Sequence, residues 1–389
     1  MPELLIRNAR LLADDAEGDW LLVADGRVEA VGRGAEPAAE VVHDSRGALL
    51  VPGLIDIHCH GGGGFSGEDG PAGVRGAASF HRTHGTTSVV ISLATAPLEV
   101  MSRRLADIAA VARDDERVLG AHLEGPFLSA EHRGAHDERL LRAPDLETVR
   151  HLLDVADGSL RQITLAPELA PEGVIEALVA ADVRVAVGHT AATQLQAAQA
   201  FARGASILTH AFNGMPALHH REPGPVLAAW RAAGATIELI ADGVHVHPDV
   251  IAMLFALAGD RVALITDAIA AAGAPDGEYA LGAFVATVRN GIARIGANGS
   301  LAGSTLTLDR AVRTVVAAGV PLRTAVRAAT RTPALALGRA DGLGTLRPGA
   351  PADIVQLDDR LQVTGIWSRG RAVERRLTPI SPDVAGEPR

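Results

Sequence analysis

Eight short apolar runs fill the centre of this 389-residue chain, and each ends in, or just before, a polar residue. Segments of helical length and composition separate the runs. Apolar runs that alternate with helices predict a parallel sheet, and eight such units close into a barrel whose chemistry lies at the carboxyl ends of the strands. The polar run ends, in chain order, are His58-Cys59-His60, Ser92, Glu124, Glu168, His189, His210, Asp242 and Asp267.

The two ends of the chain differ from this centre, because short apolar runs there are separated by glycine turns instead of helices. We therefore predict an α/β fold in which a (β/α)8 TIM-like barrel spans residues 52–343. Residues 1–51 and 344–377 are predicted to form one small β-sandwich domain together. Residues 378–389 contain three prolines and are predicted to be a loose tail. A hairpin is expected at 277–299, between the eighth strand and the next helix.

The charge balance excludes several kinds of function. All 36 basic residues are arginine, because no lysine occurs in the chain. This absence excludes a Schiff-base lysine, a P-loop lysine and a carboxylated lysine that bridges two metal ions. A net charge of −10 argues against nucleic acid as a partner.

No run approaches the roughly 20 apolar residues of a membrane span. With one cysteine and no signal pattern, we expect a cytoplasmic protein without membrane contact.

The polar run ends predict a metal site. His58 and His60 lie two residues apart, so both imidazoles point to one face of their strand, whereas Cys59 points to the other face and packs against helices. Without further ligands, a satisfied buried histidine beside a loop would be the better explanation of this pair. Four further candidates end later strands and would converge near the barrel axis: Glu124, His189, His210 and Asp267. Imidazole nitrogen and carboxylate oxygen are ligands typical of zinc or another divalent first-row metal.

Asp267 is interpreted as an acid and base rather than as a ligand. A metal ion lowers the pKa of bound water to about 7 and polarises a carbonyl group. A nearby carboxylate is then needed to accept the proton and to return it to a leaving nitrogen. The structural alternative is a helix N-cap, which an aspartate before Ala268 and Ile269 would also suit.

Six motifs together resemble those of a known family. They are His-Leu-Glu-Gly-Pro-Phe (122–127), Val-Gly-His-Thr (187–190), Thr-His-Ala-Phe-Asn-Gly-Met (209–215), Arg-Glu-Pro-Gly (221–224), Ala-Asp-Gly-Val-His (241–245) and Thr-Asp-Ala (266–268). Over nearly the whole chain, the sequence resembles the N-acetylglucosamine-6-phosphate deacetylases of the amidohydrolase superfamily. The resemblance implies hydrolysis of a linear amide, giving glucosamine 6-phosphate and acetate, in amino-sugar catabolism and cell-wall recycling.

The same resemblance implies roles for individual residues. Glu124, His189 and His210 would hold the main ion, and Asp267 would be the catalytic acid and base. His58 and His60 would hold a second ion bridged by Glu124, so one or two ions per subunit are expected, with zinc as the expected metal. The second catalytic residue, His136, would donate a hydrogen bond to the acetyl carbonyl oxygen. The amino-sugar phosphate would contact Ala135, His136, Asn213, Gly214, Arg221, His245, Leu301, Ala302 and Gly303.

Arg221 has a special role in this resemblance. It would cross the interface of a homodimer to the phosphate in the neighbouring active site, and an arginine fork suits phosphate in a chain without lysine. An ordinary surface ion pair is the alternative for an exposed arginine. Six histidines receive no role: His81, His84, His132, His219, His220 and His247.

Three other functions remain open at this stage. The first is deacetylation of the galacto isomer, N-acetylgalactosamine 6-phosphate. The second is an amidohydrolase acting on cyclic amides, although the lysine of its usual metal bridge is missing. The third is an inactive scaffold protein with the amidohydrolase fold, against which the intact polar strand ends argue.

Overall fold

The amino-terminal segment forms strands that are joined by tight turns. The computed structural model describes residues 3–296 and 299–374. Six strands come first: β1 (Leu4–Arg7), β2 (Arg10–Leu11), β3 (Trp20–Ala24), β4 (Arg27–Gly32), β5 (Val41–Asp44) and β6 (Leu49–Pro52). Asp25 and Gly26 both have positive φ angles, as the two-residue hairpin turn between β3 and β4 requires. One sheet has the strand order β4-β3-β1-β5.

Eight parallel strands form the central barrel, and they pair in chain order. They are β7 (Leu54–Cys59), β10 (Thr86–Ala94), β11 (Val118–Glu124), β12 (Leu160–Leu165), β13 (Arg184–Val187), β14 (Ile207–Leu208), β15 (Thr236–Ile240) and β16 (Val262–Ile265). A small hairpin of β8 (Gly61–Gly62) and β9 (Phe65–Ser66) follows β7. The strands are apolar along their length because helices cover the outer face of a parallel barrel, so both faces are buried.

Seven helices connect these strands: α1 (Gly70–Thr83), α2 (Leu98–Asp114), α3 (Leu146–Ala156), α4 (Val174–Ala180), α5 (Gln194–Ala202), α6 (Gly224–Arg231) and α7 (Pro248–Ala258). Three short 3-10 helices lie at Glu138–Leu140, Pro167–Leu169 and Gly259–Arg261. Asp145 and Thr193 cap α3 and α5 by accepting a hydrogen bond from a backbone N–H of the first turn. None of the described helices combines the length and the apolar composition that crossing a membrane requires.

The barrel closes between β7 and β16. The N–H of Asp267 donates to the carbonyl of His58 at 2.8 Å, and Cys59 forms a parallel bridge with Ala268. At the level below, the hydroxyl of Thr266 donates to the carboxylate of Asp56 at 2.5 Å. The predicted fold class is therefore confirmed: eight strands and their helices form a TIM-like barrel.

A four-stranded antiparallel sheet lies between the barrel and its last helices. Its strands are β17 (Gly277–Leu281), β18 (Phe284–Arg289), β19 (Ile292–Ile295) and β20 (Ser300–Leu301). The predicted hairpin at 277–299 is thus part of a longer meander. Strand β19 pairs with β18 after the Asn290-Gly291 turn, and β20 pairs with β19 and extends the sheet to Leu301. Three helices follow: α8 (Leu308–Ala317), α9 (Leu322–Ala328) and α10 (Arg331–Ala336).

The carboxyl-terminal strands return to the amino-terminal ones. β21 (Ile354–Leu357), β22 (Val363–Ser368) and β23 (Arg371–Ala372) extend β2 and β6 into a second sheet, of order β2-β6-β21-β22-β23. Ile6, Leu50, Ile354 and Trp367 are buried together between the two sheets. These strands fall within the segments predicted for the small domain, whose exact boundaries stay a prediction. Residues 375–377 of that segment, and the predicted tail at 378–389, lie outside the described residues.

A candidate metal centre at the mouth of the barrel

Polar side chains from five strand ends meet at the carboxyl-terminal mouth of the barrel. Glu124, at the end of β11, lies at the centre. Its Oε1 lies 3.1 Å from the Nε2 atoms of both His189 and His210, which follow β13 and β14. These two Nε2 atoms are 3.0 Å apart. We call this group the His189 half of the cluster.

A second group lies on the other side of the same carboxylate. The Nε2 atoms of His58 and His60 are 3.3 and 3.2 Å from the Glu124 oxygens and 3.3 Å from each other. The Oδ1 of Asp267 lies 3.5 Å from His58 and 3.3 Å from His60. We call this group the His58 half. The structure thus brings together every residue that the sequence predicted for the metal and for the acid and base.

The backbone turns sharply where it presents three of these side chains. His189, His210 and Asp267 have φ angles of 46°, 25° and 49°, in the left-handed region that residues with a Cβ rarely adopt. Such strain is stored preferentially at functional sites. Here it accompanies the change of direction that leaves each side chain facing the barrel axis immediately after its strand.

The hydrogen bonds around the cluster leave nitrogen lone pairs facing one another. The Nδ1–H of His189 donates to the carbonyl of His132 at 2.8 Å, and the Nδ1–H of His58 donates to Glu238 at 3.2 Å. Each Nε2 is then unprotonated in the neutral ring and directed into the cluster. Lone pairs and carboxylate oxygens about 3 Å apart repel one another unless a cation lies among them. The donor set therefore fits a divalent metal ion.

The electrostatics of the metal-free cluster favour added positive charge. Burial opposes protonation of His58 and His60, but Glu124 and Asp267 outweigh it. They raise the pKa of His58 well above its ordinary value and that of His60 to about 9. Burial likewise opposes ionisation of Glu124, yet the surrounding histidines hold its pKa well below the usual range. The cluster thus attracts cations, and protons compete with a metal ion for it.

His136 lies beside the cluster as a neutral hydrogen-bond donor. Its Nδ1 accepts from the backbone N–H of Thr95 at 3.2 Å, which leaves the hydrogen on Nε2. That Nε2 is 3.4 Å from Glu124. Burial lowers the pKa of His136, so its ring remains neutral near pH 7. This geometry supplies the donor that the sequence predicted there.

A cavity of about 210 Å³ opens above the cluster. It is lined by eight of the nine residues predicted to contact substrate: Ala135, His136, Asn213, Gly214, His245, Leu301, Ala302 and Gly303. Gly214 has a φ of +60°, and a Cβ there would lie 2.9 Å from His189 Nδ1, so only glycine allows this close approach. Ile269 and Leu281 also line the cavity and were not predicted.

Arg221 is the predicted contact that does not line the cavity. It lies on the exposed loop between β14 and α6, where its Nη1 is 2.8 Å from His220 Nε2. Among the residues that do line the cavity there is no arginine. A phosphate bound in the cavity of one chain would therefore meet no guanidinium from the residues that line it.

Comparison with known proteins identifies the family to which the chain belongs. A model of the amidohydrolase family matches residues 49–378. The chain belongs to the amidohydrolase family. N-acetylgalactosamine-6-phosphate deacetylase from Escherichia coli O157:H7 is 39% identical over 377 residues, covering 94% of this chain and 98% of that protein. N-acetylglucosamine-6-phosphate deacetylase from Homo sapiens is 36% identical over 387 residues, covering 95% and 93%.

A solved structure is similar over the same length. It is an aspartate-to-alanine mutant of N-acetyl-D-glucosamine-6-phosphate deacetylase from Mycobacterium smegmatis, in complex with N-acetyl-D-glucosamine 6-phosphate. The TM-score is 0.90 at 39% sequence identity, and the match covers 96% of this chain and 99% of that one.

Two polar run ends of this amidohydrolase support the site without reaching the cluster. Ser92 Oγ is 2.9 Å from Nδ1 of the buried His122. Glu168 accepts hydrogen bonds from the Thr190 hydroxyl at 2.5 Å and from the Ala191 N–H at 2.6 Å. It thereby fixes the chain just after His189.

Asp242 is a functional candidate for which the sequence suggested no role. Its Oδ2 accepts a hydrogen bond from His245 Nδ1 at 2.7 Å, and its Oδ1 accepts from the backbone N–H groups of Val244 and His245, both at 2.8 Å. Burial opposes protonation of His245, but Asp242 outweighs it and raises the pKa of that ring. Asp242 therefore orients His245 at the cavity wall and favours the protonated form of its ring. The available signal was its place at a run end three residues before a histidine.

Glu238 was missed entirely. It lies in β15, in an otherwise apolar run, and both it and its partner Gln162 are fully buried inside the barrel. The single signal was one acidic residue in a strand that is buried on both faces, where charge is costly.

Proposed function

We propose that this chain hydrolyses the acetamide of N-acetyl-D-glucosamine 6-phosphate, giving D-glucosamine 6-phosphate and acetate. The observation that carries the proposal is the convergence of Glu124, His189 and His210 with Asp267 and His136 at the floor of one cavity. The names of the relatives supply the substrate class. A place in amino-sugar catabolism and cell-wall recycling, in the cytoplasm, belongs to the same proposal.

The metal-binding residues divide between two positions. Glu124, His189 and His210 would hold the main ion, and His58 and His60 would hold a second one against the same carboxylate. Imidazole and carboxylate ligands without a thiolate favour zinc. When bound, such an ion supplies Lewis acidity, which activates water and polarises a carbonyl group.

Asp267 would move the proton. The neighbouring histidines lower its pKa against the effect of burial, so the carboxylate is ionised at neutral pH and acts first as a base. It would accept a proton from the attacking water and return it to the amide nitrogen as the carbon–nitrogen bond breaks. The Nε2–H of His136 would donate to the acetyl carbonyl oxygen as negative charge develops there.

The sugar would lie in this cavity, which His245, Asn213 and Gly214 line together with Leu281 and Leu301 of the inserted sheet, β17–β20. Because the cavity-lining residues include no arginine, the phosphate needs a cation from elsewhere. We propose a homodimer in which Arg221 reaches the phosphate in the neighbouring subunit. Its guanidinium is exposed on a loop and contacts the neighbouring His220 ring, which leaves it available for this role.

Asp242→Asn should raise KM for the sugar phosphate roughly tenfold and change kcat little, because the charge-assisted bond that orients His245 is lost. Steady-state kinetics of acetate release would measure both constants. Asp249→Asn is the matched control, since the side chain of Asp249 is 94% exposed. An unchanged KM in the Asp242 variant would contradict the proposed orientation of His245 by Asp242.

Arg221→Met should raise KM for the phosphorylated sugar by about 10- to 100-fold, the value of a lost arginine–phosphate contact. Hydrolysis of unphosphorylated N-acetylglucosamine should not change. Arg103→Met, on the exposed face of α2, is the control. Mixing Arg221→Met with Asp267→Asn subunits tests the dimer, because a mixed dimer has one site with an intact aspartate and a partner arginine. Failure of mixing to restore a normal KM would contradict the reach across subunits.

The galacto isomer is a second candidate substrate. The observation that favours it is the 39% identity to the N-acetylgalactosamine-6-phosphate deacetylase of Escherichia coli O157:H7. Acetate release from the two sugar phosphates, measured side by side with and without a chelator, tests the proposal. We expect metal-dependent turnover with the gluco isomer preferred. Turnover of neither compound would refute the deacetylase function.

A further inference from the structure

Glu238 is a buried carboxylate surrounded by hydrogen-bond donors. Its Oε1 accepts from Gln162 Nε2–H at 2.7 Å, and its Oε2 accepts from His58 Nδ1–H at 3.2 Å and from the backbone N–H of His210 at 3.4 Å. Both Glu238 and His58 have no exposed surface. In the described part of the chain, the one ion-pair partner of Glu238 is His58. The negative charge therefore lies inside the barrel without an arginine.

Packing does not require this charge. A buried carboxylate is strongly unfavourable unless a cation compensates it, whereas a glutamine of the same shape avoids that cost. Such a glutamine fits the network, because the Oε1 of Gln162 is buried with no hydrogen-bond partner among the described residues. Rotation of the Gln162 amide by half a turn would present that oxygen to a donor at position 238. The charge of Glu238 thus needs an explanation beyond the fold.

The contacts indicate that explanation. The hydrogen bond from His58 Nδ1–H fixes the ring so that its Nε2 faces Glu124 and Asp267, at 3.3 and 3.5 Å. A carboxylate in this position also increases the basicity of the ring and hence its strength as a ligand. The contact with the His210 N–H ties the same carboxylate to the backbone of the His189 half.

We propose that Glu238 is a positioning residue that sets the affinity of the His58 half of the cluster for a divalent ion. The inference rests on the metal-binding part of the proposed function. Glu238 touches neither substrate nor the reacting atoms. It acts through His58, by holding one tautomer and one orientation of that ring and by placing a negative charge behind it.

The test is zinc binding to the metal-free protein, measured by competition with a chromophoric chelator and by elemental analysis. Wild type should bind two equivalents. Glu238→Gln should weaken one of them by about 10- to 100-fold, as loss of such a partner does elsewhere, and leave the other unchanged. Gln162→Leu, which keeps the carboxylate and its contact with His58, is the matched control and should have a smaller effect. His58→Gln should remove the same equivalent, and adding Glu238→Gln to it should change nothing further.

Three results would overturn the inference: wild-type affinity for both equivalents in Glu238→Gln, equal weakening of both, or a wild type with one ion whose affinity the variant leaves unchanged. Equal thermal unfolding temperatures of the metal-free wild type and variant would confirm that folding is unaffected. A lower temperature for the variant would mean that the charge of Glu238 stabilises the fold. None of these measurements uses substrate. Loss of the deacetylase proposal alone would therefore leave them interpretable.

Discussion

Asp267→Asn is expected to lower kcat for deacetylation by about 1,000-fold, within the range that positioned acid and base groups contribute. Asparagine has nearly the same shape, so the backbone hydrogen bond from residue 267 to His58, which closes the barrel, should be kept. It cannot accept a proton, however, and the amide nitrogen would leave without its acid. Steady-state kinetics of acetate release give kcat, and elemental analysis shows whether the metal of the His189 half is retained.

The control for this variant is again Asp249→Asn, whose carboxylate is almost fully exposed. Because Asp267 Oδ1 also lies 3.3 Å from His60, some loss of affinity in the His58 half is expected. Turnover within tenfold of wild type, with metal still bound, would contradict the assigned proton transfer.

Glu124→Gln should have the largest effect, with activity reduced by at least about 10,000-fold and metal lost from both halves. Its carboxylate lies within 3.4 Å of five imidazole rings, those of His58, His60, His136, His189 and His210. Neutralising it removes the shared negative charge that holds cations against buried nitrogens. Removing the metal from wild type with a chelator should also abolish activity, and added zinc should restore the activity of wild type.

Zinc should not restore Glu124→Gln. Glu131→Gln, on the following loop with a side chain that is 76% exposed, is the control and should behave as wild type. If Glu124→Gln kept its metal and most of its activity, neither half of the cluster would be built as described.

The sequence predicted the barrel and most of the site because both follow from local patterns. Buried parallel strands are apolar along their length, and the residue after each strand lies at the mouth. His189, His210 and Glu124 were found in this way, although the left-handed backbone of the two histidines could not be inferred. The sandwich followed from matching strand patterns at the two ends of the chain.

Long-range pairing explains what the sequence left out. Glu238 is one residue in an apolar strand, and its meaning depends on His58, 180 residues earlier in the chain. The inserted sheet is longer than predicted. Its last strand was missed because two residues are too few to form a recognisable pattern. Leu281 and Ile269 line the cavity through the folding of that sheet against the barrel. The role proposed for Arg221 involves a second subunit, which one chain does not contain.

The metal centre is tested most directly by X-ray diffraction from crystals of the zinc-loaded protein, recorded at the zinc absorption edge. We expect an anomalous peak about 2.0–2.2 Å from the Nε2 atoms of His189 and His210 and from a Glu124 oxygen. A second peak should lie beside His58 and His60. If no anomalous density lay between these side chains while zinc was bound elsewhere in the molecule, the proposed metal centre would be contradicted.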